Sequence, residues 1–488
     1  MILHGALAFC SVVASSGAIA HGFGERYDLP APLGYFVAGA AATVALSFAV
    51  AILTVRRAGS EAQPAAAFAL GARSGTLLLS RMIGVALLVL VLLAGAIGDP
   101  HPAKNLSPTL VWILGWVGVA LLAALLVDPW PAIDPWRALH CWLDRKGAPS
   151  HPWPPAWGSK PAVAFFLFVA WLEVADPLAA QPSHLALLLL VWTVISLAGM
   201  RRFGSDAWRA HADPLAVYFA TLGRFAPFAV DGRRLLIRPW ARGLDGGAFP
   251  ASVAFVIAML ATVLFDGLLG TQSWRFVDTW FAVAAPEWND RDGVALSTLG
   301  LVVCFAVFFA GYRAACAASA VLGKGASARA VEVLFAPSLV PIAVAYLVAH
   351  NFAYILIQSQ GALALASDPF GFGWNLFGTA GWTPDITLVG ARANWYAATV
   401  AIVAGHVLSV WLAHRAALRA WIAPRRAIAA SVPLTLVMIG YTAVSLTIIA
   451  EPITRYRAPD ESYSRGRPLN QPMPPASGEN PSPLSSSV

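Results

Sequence analysis

Apolar runs of membrane-spanning length recur along the chain, separated by shorter polar stretches. They cover residues 35–55, 82–98, 109–127, 161–175, 184–200, 251–269, 294–312, 333–358, 394–413 and 428–450. At about 1.5 Å per helical residue, some twenty apolar residues match the ~30 Å hydrocarbon layer of a bilayer. The pattern therefore predicts an all-α protein, a polytopic transmembrane helix bundle of about ten spans. The fourth run is short and the eighth long, so the tilts should differ. The eighth includes the stretch SLVPIAVAYLVAHNFAYILIQSQ, in which Tyr346, His350, Tyr354 and Gln358 recur every fourth residue. On a helix they form one polar stripe. An ionisable group inside a span is costly unless it faces protein or a wet cavity, so His350 is a functional candidate. The alternative is a packing histidine bonded to a neighbouring carbonyl.

The connecting segments have their own patterns. Residues 1–20 are apolar and end in Ala18-Ile19-Ala20, a small-x-small cleavage pattern, although the first ten residues contain no Lys or Arg. We expect a cleavable signal peptide there, which leaves His21 as the mature N-terminus. Its amine and imidazole could then chelate one metal ion. The membrane domain should occupy residues 21–450. Two loops, 128–160 and 201–248, carry the related segments IDPWRALHCWLDR and ADPLAVYFATLGR. Each has an Asp-Pro helix start, with Asp as cap and Pro in the first turn. Both are expected to be amphipathic helices lying on the inner membrane surface. Residues 359–393 interleave aromatic and turn residues and should form an ordered outer loop, whereas 451–488, rich in Pro and Ser, should be disordered.

Composition supports the membrane reading. Hydrophobic residues make up 58% and charged residues 12%, too few charges for a soluble surface. Mean hydropathy is +0.67. The net charge of +7 is explained by its placement. Of the 32 Lys and Arg, 23 fall in alternate segments, 56–81, 128–160, 201–248, 313–332 and 414–427. By the positive-inside rule these face the cytoplasm, which places both mature termini outside a bacterial cytoplasmic membrane and removes any need for a nucleic-acid partner. Cys304 and Cys316 are separated by about 18 Å along one helix, so no disulfide framework is expected.

No serine-hydrolase elbow, zincin motif, P-loop or dinucleotide fingerprint is present in the sequence. What remains is a set of polar residues at related depths. His350 lies about 12 Å and His406 about 18 Å inside the outer ends of their spans, and Glu173 and Asp266 within about a turn of theirs. With His21, they could hold a divalent transition metal, zinc or copper above all. Such a metal would supply hydroxide from bound water, with His350, His406, His21 and Asp266 as ligands and Asp266 or Glu173 as catalytic carboxylates. The competing readings are packing for His406 beside Gly405 and helix-end interface residues for Asp266 and Glu173. His414 suits a charge at a helix C-terminus.

Several long segments carry a resemblance. AHGFGERYDLP, DPWRALHCWLDR, RAHADPLAVYFATLGRFAPF, VLFDGL, SDPFGFGWNLFGT and GHVLSVWLAHRAAL, together with the eighth span, resemble a family of bacterial multi-pass membrane proteins labelled fenitrothion hydrolase. The resemblance runs over nearly the whole chain except the tail. It implies a membrane-bound organophosphate hydrolase that cleaves a lipophilic aryl dialkyl phosphorothioate to a nitrophenol, with the lipid bilayer around it and partner membrane subunits possible. Two other readings use the same histidines: copper-type metal uptake or delivery, and secondary transport. The absence of a mid-span break weighs against the last.

Overall fold

The computed structural model describes residues 27–55, 66–69, 74–144, 149–232, 234–246, 249–290 and 292–455. The expected signal segment, His21 and the expected disordered tail beyond residue 455 lie outside the described residues.

Each of the ten apolar runs is helical. They correspond to α1 (Leu33–Thr54), α2 (Ser74–Ile97), α3 (Leu106–Leu125), α5 (Lys160–Ala175), α6 (Pro182–Phe203), α8 (Val253–Leu269), α10 (Val294–Gly323), α11 (Ala328–Gln358), α12 (Ala391–Ala420) and α13 (Pro424–Ile453). Shorter helices join them, among them α4 (Pro135–Leu143), α7 (Pro214–Gly223) and α9 (Gln272–Ala284). In lipid the backbone must satisfy itself, so apolar length alone dictates helix. Leu46, Leu53, Leu187, Val194, Val307 and Leu436 stay exposed, as a lipid-facing belt requires.

Eight of the ten helices are long enough to cross a bilayer unaided, whereas α5 has 16 residues and α8 has 17. Three contacts between loops bear on whether the short pair also crosses, if the connecting loops lie outside the bilayer. Short strands β1 (Tyr27–Asp28), β2 (Ala66–Ala69), β3 (Phe228–Asp231), β4 (Arg234–Ile237) and β5 (Thr454–Arg455) pair in the orders β1-β5 and β2-β4-β3. The β2–β4 pairing puts the loops after α1 and α7 on one face. An even number of crossings must separate them, which requires α5 to cross. Asp245, between α7 and α8, pairs with Arg419 at the end of α12, and this requires α8 to cross as well. The parallel β1–β5 pairing, Tyr27 with Thr454, then agrees with ten crossings.

Burial is uneven. The apolar stretch of α11 is 78% buried, against 11% in α10 and 44% in α12 and α13, so α11 is the central helix. It packs on α12, on α8 and on α3, while α13 packs on α12, α10 and α1. Position 405 on α12 sits against Pro341 and Ala345 of α11, where a side chain would collide with the Pro341 carbonyl; only Gly permits this approach. Ser409 donates to the Ser338 carbonyl and ties α12 to the 3-10 turn Ala336–Leu339 in α11.

One expectation is corrected. The segment ADPLAVYFATLGR does not lie on a surface: seven of the ten residues of α7 are buried, because α7 inserts beside α3 and α5. Its polar-looking Tyr218 faces aromatic neighbours rather than water. The helix with an interfacial surface is instead α9, bent by 81° from α8, with Phe276, Trp280 and Val283 exposed. The expected Asp-Pro starts do form: Asp134 accepts from Arg137 N at 3.0 Å, and Asp213 from Leu215 N and Ala216 N at 3.0 Å. The outer loop bonds back over the bundle, with Asp99 N donating to Phe370 O at 2.7 Å and Leu106 N to Pro369 O at 3.1 Å.

Candidate functional site

The polar stripe of α11 faces the ends of α8 and α5. Continuous apolar sequence makes both helices, and each places one carboxylate in its last turn, Asp266 on α8 and Glu173 on α5. His350 Nε2 lies 2.8 Å from Asp266 Oδ2. Glu173 is near enough to Asp266 for their charges to interact, and Tyr354, one turn beyond His350, is near both. Tyr346, one turn before His350, stacks with it at 6.3 Å between ring centroids. The Tyr346 hydroxyl passes directly over Gly267, where a Cβ would collide with it. A glycine next to Asp266 therefore allows the tyrosine to enter the site.

Glu173 is held from a third helix. Residues Thr109–Gly118 of α3 are π-helical, a rare widened turn that recurs at functional sites. Two tryptophans project from it onto α5 and its following turn. Trp116 Nε1 donates to Glu173 Oε2 at 2.8 Å, and Trp112 Nε1 to the Ala179 carbonyl at 2.7 Å. Trp116 also stacks on Tyr218 of α7, with 5.3 Å between ring centroids. Glu173 is accessible and the Asp266 side chain is 30% exposed, so the two carboxylates are not sealed in a closed core. One imidazole, two carboxylates and three phenols thus gather along about 12 Å of α11. Such a group can take up, hold and pass on a proton.

Of the residues expected from sequence, the structure brings together His350, Asp266 and Glu173. It does not bring His406 to them. Gly405 packs at the level of residues 341–345, five to nine residues short of His350 on α11, or about 7–14 Å along the axis. The His406 ring donates through Nδ1 to the Ile402 carbonyl at 2.8 Å and lies 5.7 Å from the Tyr441 ring. Among the described residues no three His, Cys, Asp or Glu side chains are arranged to hold a metal ion. His414 bonds the Val55 carbonyl at 3.2 Å, joining α12 to the end of α1.

Sequence reasoning did not find Trp116 or Tyr218. The available signal was the pair Trp112 and Trp116, four apart in a span. It also missed a second imidazole–carboxylate pair, His184 Nε2 and Asp176 Oδ2 at 2.8 Å, which closes the turn between α5 and α6. Comparison with known proteins finds no matching protein family, no matching curated protein and no matching solved structure.

Proposed function

We propose that this chain is a membrane-embedded hydrolase of lipophilic organophosphate triesters, with His350 and Asp266 as its acid–base pair. The observation that carries the reading is their 2.8 Å contact, set within the membrane region beside a second carboxylate. We read the accessible carboxylates as one wall of a recess that a lipophilic ester reaches by partitioning into the bilayer. Water bound beside the pair attacks phosphorus; a P–O bond to the water oxygen forms and the P–O bond to the aryl group breaks. The nitrophenoxide leaves with the electron pair, and the His350–Asp266 pair takes the water proton and returns it to solvent. Glu173, fixed by Trp116, holds the water on the opposite side.

The zinc or copper ion expected from the donor types does not fit the described residues by themselves, because His406 is turned away and only one imidazole is present. His21 or a partner subunit would have to supply a further ligand, and no step above passes through a metal. The test is nitrophenol release from fenitrothion by the purified protein, before and after chelation and after metal add-back. Release by the native protein and its loss in His350→Ala and Asp266→Asn are expected. No release by native protein under any metal condition ends the hydrolase reading.

One observation favours proton-coupled transport as a second reading. Tyr346 Oη and His406 Nε2 are fully enclosed with no hydrogen-bond partner among the described residues, and Tyr441 lies near both. Buried orphan groups in such a row are the places where internal water sits. Acidification-driven solute or copper flux in proteoliposomes, in a protein that releases no nitrophenol, supports this reading over the first.

A further inference from the structure

Helices α5 and α10 meet at one end and part at the other. At the outer end Trp171 Nε1 donates to Thr298 Oγ1 at 2.8 Å. Toward the other end the two helices no longer fill the space between them, and a cavity of about 1430 Å³ opens there. Its walls follow helical spacing. Lys160, Val163, Ala164 and Leu167 line it from α5, and Phe305, Phe309 and Arg313 from α10. The floor is thus aliphatic and aromatic, and the charges gather at the mouth.

Those charges are strongly one-sided. The lining contains Lys160, Arg313, Arg329 and Arg419 but only one acid, Glu332. Glu332 pairs with Arg313 at 3.1 Å, and Arg419 pairs with Asp245. Lys160 and Arg329 have no carboxylate partner among the described residues and are both exposed. Ser159, which precedes α5 and also lines the mouth, leaves its hydroxyl out of any capping bond. The mouth lies on the face that carries most of the Lys and Arg, and basic pockets between spans on that face suit anionic headgroups.

We propose that this crevice is a binding site for an anionic phospholipid, with its phosphate between Lys160 and Arg329 and its acyl chains against Val163, Leu167, Phe305 and Phe309. Size selects this occupant over a free anion. Pockets for drug-sized molecules run to about 1,000 Å³, and this one is larger and mostly apolar. Charge selects it over a zwitterionic lipid, since two cations without a carboxylate partner among the described residues line the mouth, Lys160 Nζ donating to the Ala156 carbonyl at 3.2 Å. The site is separate from the His350–Asp266 recess and does not depend on the hydrolase reading.

The full-length protein, purified in detergent and stripped of lipid, is titrated with phosphatidylglycerol, phosphatidylcholine or inorganic phosphate. Bound lipid is read by native mass spectrometry and stability by thermal unfolding. The expected result is a preference for phosphatidylglycerol of roughly thirtyfold, on the order of fivefold for each of the two cations. Lys160→Ala combined with Arg329→Ala should bring the two lipids near equality. Both residues are exposed, so lipid-free melting should be unchanged. Equal binding of both lipids by the native protein, or an undiminished preference in the double variant, overturns the proposal. Stabilisation by inorganic phosphate alone overturns it in favour of a small-anion site. A Phe309→Glu variant provides a second measurement, because a charge in the acyl path should expel lipid while leaving the cations in place.

Discussion

His350 Nε2 on α11 lies 2.8 Å from Asp266 Oδ2 on α8, so the central helix is tied to a short span by a charged contact inside the membrane region. Neither helix could present such a group to lipid at low cost. Each is acceptable because the other is there. Replacing one leaves the other unmatched.

The first prediction follows from that pair. His350→Ala and Asp266→Asn should each lower the rate of nitrophenol release about a hundredfold or more, the usual size of a general acid–base contribution. The double variant should be little worse than either single one, because the two act as a unit. Steady-state rates of the four proteins check this. Additive losses would show that the two residues act separately.

A second prediction concerns the π-helical turn of α3. Trp116→Phe keeps a ring against Tyr218 but removes the 2.8 Å bond to Glu173. Glu173 is accessible, so water can replace part of what is lost, and the expected stability loss is about 1 kcal/mol. Activity should fall further than stability, with its pH profile displaced, because Glu173 is then free to turn. An unchanged profile would reduce Trp116 to packing.

The third prediction is about the cluster of arginines around Asp245. Asp245 is enclosed by Arg242 at 3.3 Å, Arg415 at 2.7 Å and Arg419, and Arg415 also lies over the Trp411 ring. Burial pushes the Asp245 carboxyl upward, but hydrogen bonds and charge from Arg419 and Arg415 outweigh it and hold it below the ordinary range. A depressed carboxyl stabilises the fold above its unfolded value near ~3.9 and loses that contribution as pH falls through the lower folded value. Melting of the native protein should therefore show no loss from this group between neutral pH and about 4, and a loss below. Asp245→Ala should cost about 3 kcal/mol, since it leaves guanidinium groups enclosed without their anion. Detergent melting curves across pH test both statements.

Asp213 behaves in the opposite sense. Burial, and then the charge of nearby Asp134, push its carboxyl up to about 7 despite Arg209 and its capping bonds. A raised carboxyl favours the fold when protonated, so its contribution is greatest below about 4 and is lost as pH rises toward the folded value. Asp213→Asn keeps a capping side chain and cannot ionise. Its melting temperature relative to native should rise between pH 4 and pH 7, and a constant difference would contradict the assignment.

The fifth prediction is topological. With 23 of 32 basic residues in alternate loops, a reporter fused after Ala450 should be active only outside the cytoplasm. N-terminal sequencing should recover a chain that begins at His21. A reporter active only in the cytoplasm would reverse the orientation, and a retained Met1 would remove the N-terminal chelate.

The helices were legible in the sequence, and so was the chemistry of the site as a list of residues. A bilayer leaves the backbone no other choice than helix, so apolar length by itself located all ten helices, although α2 begins eight residues earlier than expected and α10 and α12 run eleven and seven residues past their expected ends. The four-residue spacing of Tyr346, His350, Tyr354 and Gln358 identified the polar face of α11 because a helix repeats every 3.6 residues. Length leaves the two shortest helices short of a span, and only the contacts between loops, β2 with β4 and Asp245 with Arg419, bear on whether they cross.

What the tertiary structure decided was who faces whom. Residue counting gives depth along a helix axis but neither rotation about it nor the identity of its neighbours. On depth alone His350 and His406 were plausible partners; packing at Gly405 and the bond to Ile402 turned His406 toward Tyr441, and the end of α8 brought Asp266 to His350 instead. Trp116 reached Glu173 through a π-helical turn that no periodicity announces, and α7, amphipathic in sequence, was drawn inward by aromatic contacts with α3 and α5. Such choices depend on the shapes of surfaces that are distant in sequence, and they are made only when those surfaces meet.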